Sequence, residues 1–292
     1  MKIQYLNGGL ANQVFQYIFV RFAELYNPSE EPWLIDDSFF FVNNVHNGYE
    51  LEKVFNIQAN LLSRNFDSDV WNEFIKNKKE GSSIAQSFKN LGFDVQMVAE
   101  TTNYKEHNPF DGKIFQISAN EFHPEITKLP GEVIYYHGYW INTKWFRTYR
   151  NILERELAMP DITDEKNKAY ASHILSTLSI GVHIRRGDYV DIGWALSDTY
   201  YLQSMRTLTK NYPGATFFVF SDDISWCRSN SDSMGLTLSP NIVFIEGNTQ
   251  DSSYIDLELM SMCDGMLMSN SAFCYLAALL NKRLKFCMEP PR

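Results

Sequence analysis

Apolar and polar positions alternate in register along this chain in two ways, and the switch between them outlines its elements. Lys2-Ile3-Gln4-Tyr5-Leu6 has the two-residue period of a strand. After Asn7-Gly8-Gly9, the apolar positions Leu10, Val14, Phe15, Ile18, Phe19, Phe22 and Leu25 fall at helical spacing and predict a helix from Leu10 to Tyr26, stopped by Asn27-Pro28. Trp33-Leu34-Ile35-Asp36 predicts a second strand. From about residue 37 to 130 the pattern weakens to helical pieces near Asp69–Asn77 and Ser82–Leu91 among asparagine-rich loops. It returns with a strand over Val133–Trp140 and a helix over Lys144–Leu157.

The second half is more regular. Compact apolar runs predict strands at Ser179–Ile184, Thr216–Ser221, Ile242–Glu246, Met266–Ser269 and Leu284–Cys287. Between them lie helical stretches near Asp198–Lys210, Ile224–Ser233, Asp251–Met262 and Ala272–Leu280. Strands alternating with helices imply an α/β fold with a parallel sheet and right-handed crossovers. The polar, proline-bearing stretch Met159–Asp164 is the best linker, so two α/β domains are expected, residues 1–160 and 161–292, facing each other across a cleft at the carboxyl ends of their sheets.

Composition narrows the partners. The 292 residues carry a formal net charge of −9, which argues against nucleic acid or an anionic membrane surface as the main partner. The aromatic share, 15%, suits a ligand with flat faces, a sugar or a base. Cys227, Cys263, Cys274 and Cys287 form no C-x-x-C pair and sit among apolar neighbours, which predicts buried free thiols in a reducing compartment. The chain opens on a predicted strand and holds no apolar run long enough to span a bilayer, so a soluble cytosolic protein is expected.

Candidate chemistry collects at predicted strand ends. His183-Ile184-Arg185-Arg186-Gly187-Asp188-Tyr189 delivers two arginines to a carboxyl edge, where open α/β sheets bind ligands. Guanidinium matches phosphate because its fork donates two parallel hydrogen bonds, although adjacent arginines are also common in surface ion pairs. Asp188 is placed to orient an arginine or act as a base. Asn7-Gly8-Gly9-Leu10-Ala11-Asn12-Gln13 runs into a helix but lacks both the G-x-G-x-x-G dinucleotide fingerprint and the Gly-Lys-Ser/Thr of a P-loop. Ser221-Asp222-Asp223 leads into another helix, where aspartates cap well; a contact to a nucleotide is the alternative. Ser269-Asn270-Ser271 opens a helix with Ser271 as N-cap or phosphate ligand, and Asp256 lies on a largely apolar helix. Adjacent Asp-Asp is a poor match to an Asp-x-Asp metal clamp, so no metal is expected. Residues alone thus yield a two-domain α/β protein with an arginine-based phosphate site and no assigned reaction.

Taken together and in order, Gly8–Tyr17, His183–Tyr189, Ser221-Asp222-Asp223 and Ser269-Asn270-Ser271-Ala272-Phe273 resemble the bacterial α-1,2-fucosyltransferases of glycosyltransferase family eleven, with Gly138-Tyr139-Trp140 adding a further match. The resemblance implies a GT-B-like pair of Rossmann-type domains, an acceptor-side domain at 1–160 and a GDP-sugar domain at 161–292. It implies inverting transfer of L-fucose from GDP-β-L-fucose to the 2-hydroxyl of a terminal galactose on an oligosaccharide or glycolipid, without a metal or other cofactor. Arg185 would hold the donor phosphates and stabilise the departing GDP, and Arg186, Asp222, Asp256, Ser269, Ser271 and the backbone near His183 would complete the donor site. Asn12 and Gln13 would face fucose or acceptor, and Asp188 is the leading base. A role in O-antigen or other polysaccharide synthesis, in a bacterial cytoplasm with peripheral contact at the inner membrane face, is compatible with such acceptors. Ala11, Ala272 and Cys274-Tyr275 depart from the family's usual residues. Competing expectations are a fucosyltransferase of another linkage or using another GDP-sugar, and a non-catalytic nucleotide- or carbohydrate-binding protein. A nicotinamide oxidoreductase is disfavoured by the missing fingerprint.

Overall fold

The computed structural model describes residues 1–101, 110–119 and 121–291. The chain divides into two compact units, Met1–Met159 and Pro160–Arg292. Both are parallel-sheet Rossmann-like α/β units, as the strand–helix alternation predicts.

The first unit runs β1 (Lys2–Tyr5), α1 (Leu10–Tyr26), β2 (Leu34–Asp36), α2 (Phe39–Val42), α3 (Leu51–Phe55), α4 (Leu62–Asn65), α5 (Ser68–Lys79), α6 (Ile84–Asn90), β3 (Val95–Thr101), β4 (Lys113–Ser118), β5 (Val133–His137), α7 (Thr143–Thr148) and α8 (Arg150–Glu156). Its five strands are ordered β2-β1-β5-β3-β4 and pair in parallel. α1 forms because its apolar stripe, Val14, Phe15, Ile18, Phe19 and Phe22, is buried along one side. Phe19 stacks on Trp140 at 4.2 Å and meets Trp145 edge-on at 5.2 Å. On the sheet's other side Trp71, Phe74 and Phe88 pack with Ile3, Met97 and Tyr135.

The expected single helix over 144–157 is two, because Tyr149 leaves helical geometry (φ −122°, ψ 36°) while its N–H still closes on the Phe146 carbonyl. β3 and β4 lie in the stretch whose pattern predicted no strand. β4 is an edge strand with most of its residues exposed, so it shows no clean apolar alternation.

The second unit runs α9 (Glu165–Ser176), β6 (Ser179–Ile184), α10 (Gly187–Asp191), α11 (Asp198–Asn211), β7 (Thr216–Ser221), α12 (Ile224–Ser229), β8 (Ile242–Phe244), α13 (Tyr254–Ser261), β9 (Gly265–Leu267), α14 (Ala272–Leu280) and β10 (Phe286–Met288). The pattern did not predict α9, which buries only Asn167 and Ile174 and so carries no apolar stripe. The strand order is β10-β9-β6-β7-β8, all parallel. From β6 the chain winds outward through β7 to β8, then returns to β6's other side for β9 and β10. The winding therefore reverses between β6 and β9, and the crevice outside their carboxyl ends is where such sheets bind ligands.

β6 is buried along its whole length. Its neighbours β7 and β9 contribute Phe217, Val219 and Leu267 to one core with Met205 and Leu208 of α11. Cys227, Cys263 and Cys274 are buried free thiols, whereas Cys287 is exposed. The expectation of four buried thiols fails at Cys287 because β10 is an edge strand. Among the described residues no helix is long and apolar enough to cross a membrane.

Candidate functional site

The β6–β7 register pairs Ile184 with Ser221, so the next residues, Arg185 and Asp222, emerge side by side at the carboxyl edge. Arg185 forms an ion pair with Asp222, Nη1 to Oδ2 at 3.1 Å, and donates from Nη2 to Asp188 Oδ1 at 2.7 Å. Its guanidinium also lies 5.3 Å from the centre of the Tyr189 ring. The other Asp222 oxygen, Oδ1, accepts from the Arg186 backbone N–H at 2.8 Å. Arg186 turns its guanidinium onto the face of Trp226, 3.5 Å from the ring centre. In both arginines Nε is buried and without a hydrogen-bond partner. Buried donors of this kind are rare in finished cores and mark a place where an acceptor is wanted.

Gly187 closes the corner. It has φ +28°, and a Cβ built there would lie 2.5 Å from Asp222 Oδ2. Only a residue without a side chain lets the chain turn this close to the carboxylate that braces Arg185. Asp188 spends one oxygen on Arg185, and its side chain is 55% exposed. Asp223 takes the capping role the sequence offered it, accepting from the Trp226 N–H at 2.9 Å.

His183 and Ser269 meet across the β6–β9 seam, with His183 Nδ1 2.8 Å from Ser269 Oγ. Burial, aided by the Arg185 charge, pushes His183 down to about 3, so the imidazole is neutral. Ser269 Oγ also accepts from the Ser271 N–H at 3.2 Å and lies 3.7 Å from the Cys274 thiol. These contacts make His183 and Ser269 supports of the Ser269–Ser271 turn. Ser271 is the N-cap of α14, accepting from the Phe273 N–H at 3.3 Å.

Asp256, at the start of α13, belongs to a separate cluster. Its Oδ1 accepts from Asn248 Nδ2 at 2.8 Å, and Asn248 exchanges hydrogen bonds with Asn167 at 2.8 and 2.9 Å. Burial pushes the Asp256 carboxyl up to about 7. Sequence reasoning did not single out Asn167 or Asn248, and it gave Tyr189 and Trp226, which lie in or beside the quoted motifs, no role of their own. Asn167 and Asn248 stand in no motif and pair across 81 residues.

In the first unit, Gln13 is buried, donates to the Gly8 and Gly48 carbonyls and accepts from the Glu50 N–H, so its amide ties loops to α1. Asn12 is partly exposed and folds back over Gly8, whose φ is +80°. Among the described residues no group of three or more His, Cys, Asp or Glu could hold a metal ion.

Residues 82–288 match the model of glycosyl transferase family 11. The chain belongs to this family. The matched span holds the arginine corner, the Ser269–Ser271 turn and Asp256, and it leaves Asn12 and Gln13 outside. This family 11 chain is 30% identical over 284 residues to an α-1,2-colitosyltransferase of Escherichia coli, covering 94% of the chain and 86% of the relative. It is 26% identical over 167 residues to galactoside α-(1,2)-fucosyltransferase 2 of Gorilla gorilla gorilla, covering 53% of the chain and 48% of that protein. Among solved structures, the fucosyltransferase NodZ from Bradyrhizobium aligns over 96% of this chain and 91% of its own, with TM-score 0.52 and 13% identity. POFUT1 in complex with GDP aligns over 99% and 97%, with TM-score 0.50 and 14% identity. These two likenesses are of fold, a GT-B-like one.

Proposed function

We propose that this glycosyltransferase moves L-fucose from GDP-β-L-fucose to the 2-hydroxyl of a terminal galactose, forming an α-1,2 linkage with inversion. The observation that carries the reading is Arg185, held by Asp188 and Asp222 at the point where the sheet's winding reverses. The linkage printed in the names of the two curated relatives, α-1,2 in both, supports it. In the reaction the acceptor oxygen gives up its proton and attacks the anomeric carbon, while the bond to the β-phosphate breaks and its electrons leave with GDP. Arg185 donates to that diphosphate as charge develops, the work a divalent ion does in other transferases. Arg186 and the Ser271 hydroxyl at the start of α14 add donors, and Asp256 takes the guanine edge, braced by Asn248. Asp222 and His183–Ser269 hold these groups in place. Asp188, with one oxygen on Arg185, is the base. On the acceptor side Asn12 faces fucose or galactose, and Gln13 fixes the loop beside it. The setting is a bacterial cytoplasm, with glycolipid acceptors at the inner membrane face.

A second donor is favoured by the colitosyltransferase match, which spans 94% of the chain. Colitose is L-fucose without its 3-hydroxyl, so both readings share every diphosphate and guanine contact. The test is GDP release from GDP-fucose and, side by side, GDP-colitose, with lactose, N-acetyllactosamine and lacto-N-biose as acceptors, with and without EDTA. Galactoside-dependent release from GDP-fucose, unchanged by EDTA and with a 2-linked product, is expected. Release from GDP-colitose alone would replace the donor, and EDTA inhibition rescued by Mn²⁺ would overturn the metal-free chemistry.

A further inference from the structure

The turn that follows the arginine corner carries an exposed aromatic side chain that the reaction above does not use. Trp194 is 40% exposed, and Val190 and Ile192 of the same turn are 46% and 49% exposed. Such a turn is ordinarily mobile, but this one is braced. The N–H groups of Trp194 and Ala195 both close on the Tyr189 carbonyl, at 2.7 and 3.0 Å, and those of Ile192 and Gly193 close on Asp188 and Val190. The Trp194 carbonyl accepts from Asn270 Nδ2 at 2.9 Å, which ties the turn to the Ser269–Ser271 segment. The indole packs edge-on against Tyr189, with ring centres 5.7 Å apart and planes at 89°. Tyr189 is the ring beneath Arg185. Tyr189 thus touches both the Arg185 guanidinium and the indole, and the indole, 40% exposed, is held in place near the proposed diphosphate site.

We propose that the Trp194 indole is the platform on which the acceptor's terminal galactose stacks. This rests on the galactoside reading above. Galactose has an axial 4-hydroxyl on one face, which leaves its C3, C4 and C5 hydrogens together on the other. That C–H face is partially positive and apolar, and the face of an indole is its complement in charge and shape. The donor sugar is bonded to the diphosphate and the acceptor's galactose must reach its anomeric carbon, so an exposed ring held close to Arg185 through Tyr189 is suited to the acceptor.

The test compares wild type, Trp194→Ala and Trp194→Phe in transfer from GDP-fucose to lactose, with GDP affinity measured by calorimetry. Trp194→Ala should raise the acceptor KM about tenfold and leave the donor KM and the GDP Kd within about twofold, the size expected when one stacking face is lost. Trp194→Phe should recover most of that. Lactose should also perturb the tryptophan fluorescence of wild type but much less that of Trp194→Phe. An acceptor KM unchanged in Trp194→Ala while wild type transfers normally would overturn the platform alone. A raised donor KM instead would assign the indole to the donor sugar and overturn it. So would loss of binding to anionic phospholipid vesicles with lactose kinetics intact, which would make the turn a membrane contact. Absence of transfer to every galactoside by a wild-type protein that binds GDP would overturn the galactoside reading and the platform with it.

Discussion

Gly187→Ala strikes the proposed donor site at its tightest point. The new methyl would sit 2.5 Å from Asp222 Oδ2, closer than two such atoms can approach. It would also hold an alanine at φ +28°, where a side chain strains the backbone by about 1–2 kcal/mol. The carboxylate is the far end of a flexible side chain, so it will give way before the backbone does. The steric part of the damage therefore falls on function. When Asp222 swings aside it gives up its 2.8 Å bond from the Arg186 N–H and its 3.1 Å pair with Arg185. Charge-assisted bonds are worth about 1.5–3 kcal/mol when sheltered, less at a site about one quarter exposed. A loss near the low end, about 1.4 kcal/mol, corresponds to a tenfold weaker GDP Kd. The backbone strain alone should lower Tm by about 3–8 °C. Calorimetric GDP titration and thermal unfolding of the same preparation separate the two effects. In an Asp222→Ser background the methyl no longer meets a carboxylate, so Gly187→Ala should then weaken GDP binding less than about threefold further. A Gly187→Ala protein that binds GDP as wild type does would refute the view that Asp222 sets the arginine.

Arg185→Ala should cut kcat/KM about a thousandfold, the scale of losing one oxyanion donor, with circular dichroism and Tm little changed; near-normal turnover would end its assignment to the diphosphate. Asp188→Asn should lower kcat while holding the GDP Kd within about threefold, and an equal loss of both would mean that it acts only by orienting Arg185. Burial, with the Asp161 charge adding to it, pushes Glu258 up to about 7, and its Oε2 is buried without a partner. The folded chain therefore binds more protons than the unfolded chain between about pH 4.5 and 7, and this residue's contribution to stability falls as pH rises through that window. Glu258→Gln removes the slope, so it should raise Tm relative to wild type more at pH 8 than at pH 5; an equal difference at both would contradict the burial.

The second unit was legible because its strands are buried on both faces. β6 and β7 read as short unbroken apolar runs bounded by polar turns, and α11 between them, with 14 residues, is long enough to show a period. In the first unit α2, α3 and α4 have four or five residues each, too few for a helical period to repeat. β4 lies at an edge and is mostly exposed, and the break at Tyr149 has neither proline nor glycine to announce it. At the site, the arginines and serines were visible because they follow predicted strands directly. What joins them was not. The Arg185–Asp222 pair depends on the β6–β7 register, and Trp226 beneath Arg186 comes from the next strand's helix. Asp222 was visible as a helix-start residue or a donor contact but not as the brace of Arg185, and no local rule says which of two adjacent aspartates caps and which turns back.

The brace around Arg185 has a consequence for ionic strength. Two arginines stand beside two aspartates, and the protein around them carries a formal net charge of −9. Such a corner casts no long-range positive field, so anions are not drawn to it from solution. Donor affinity should then change little between low and physiological salt, where an unopposed cationic pocket would lose much of its grip. Inorganic phosphate, which has charge but no guanine for the contact proposed at Asp256, should compete poorly at any salt concentration.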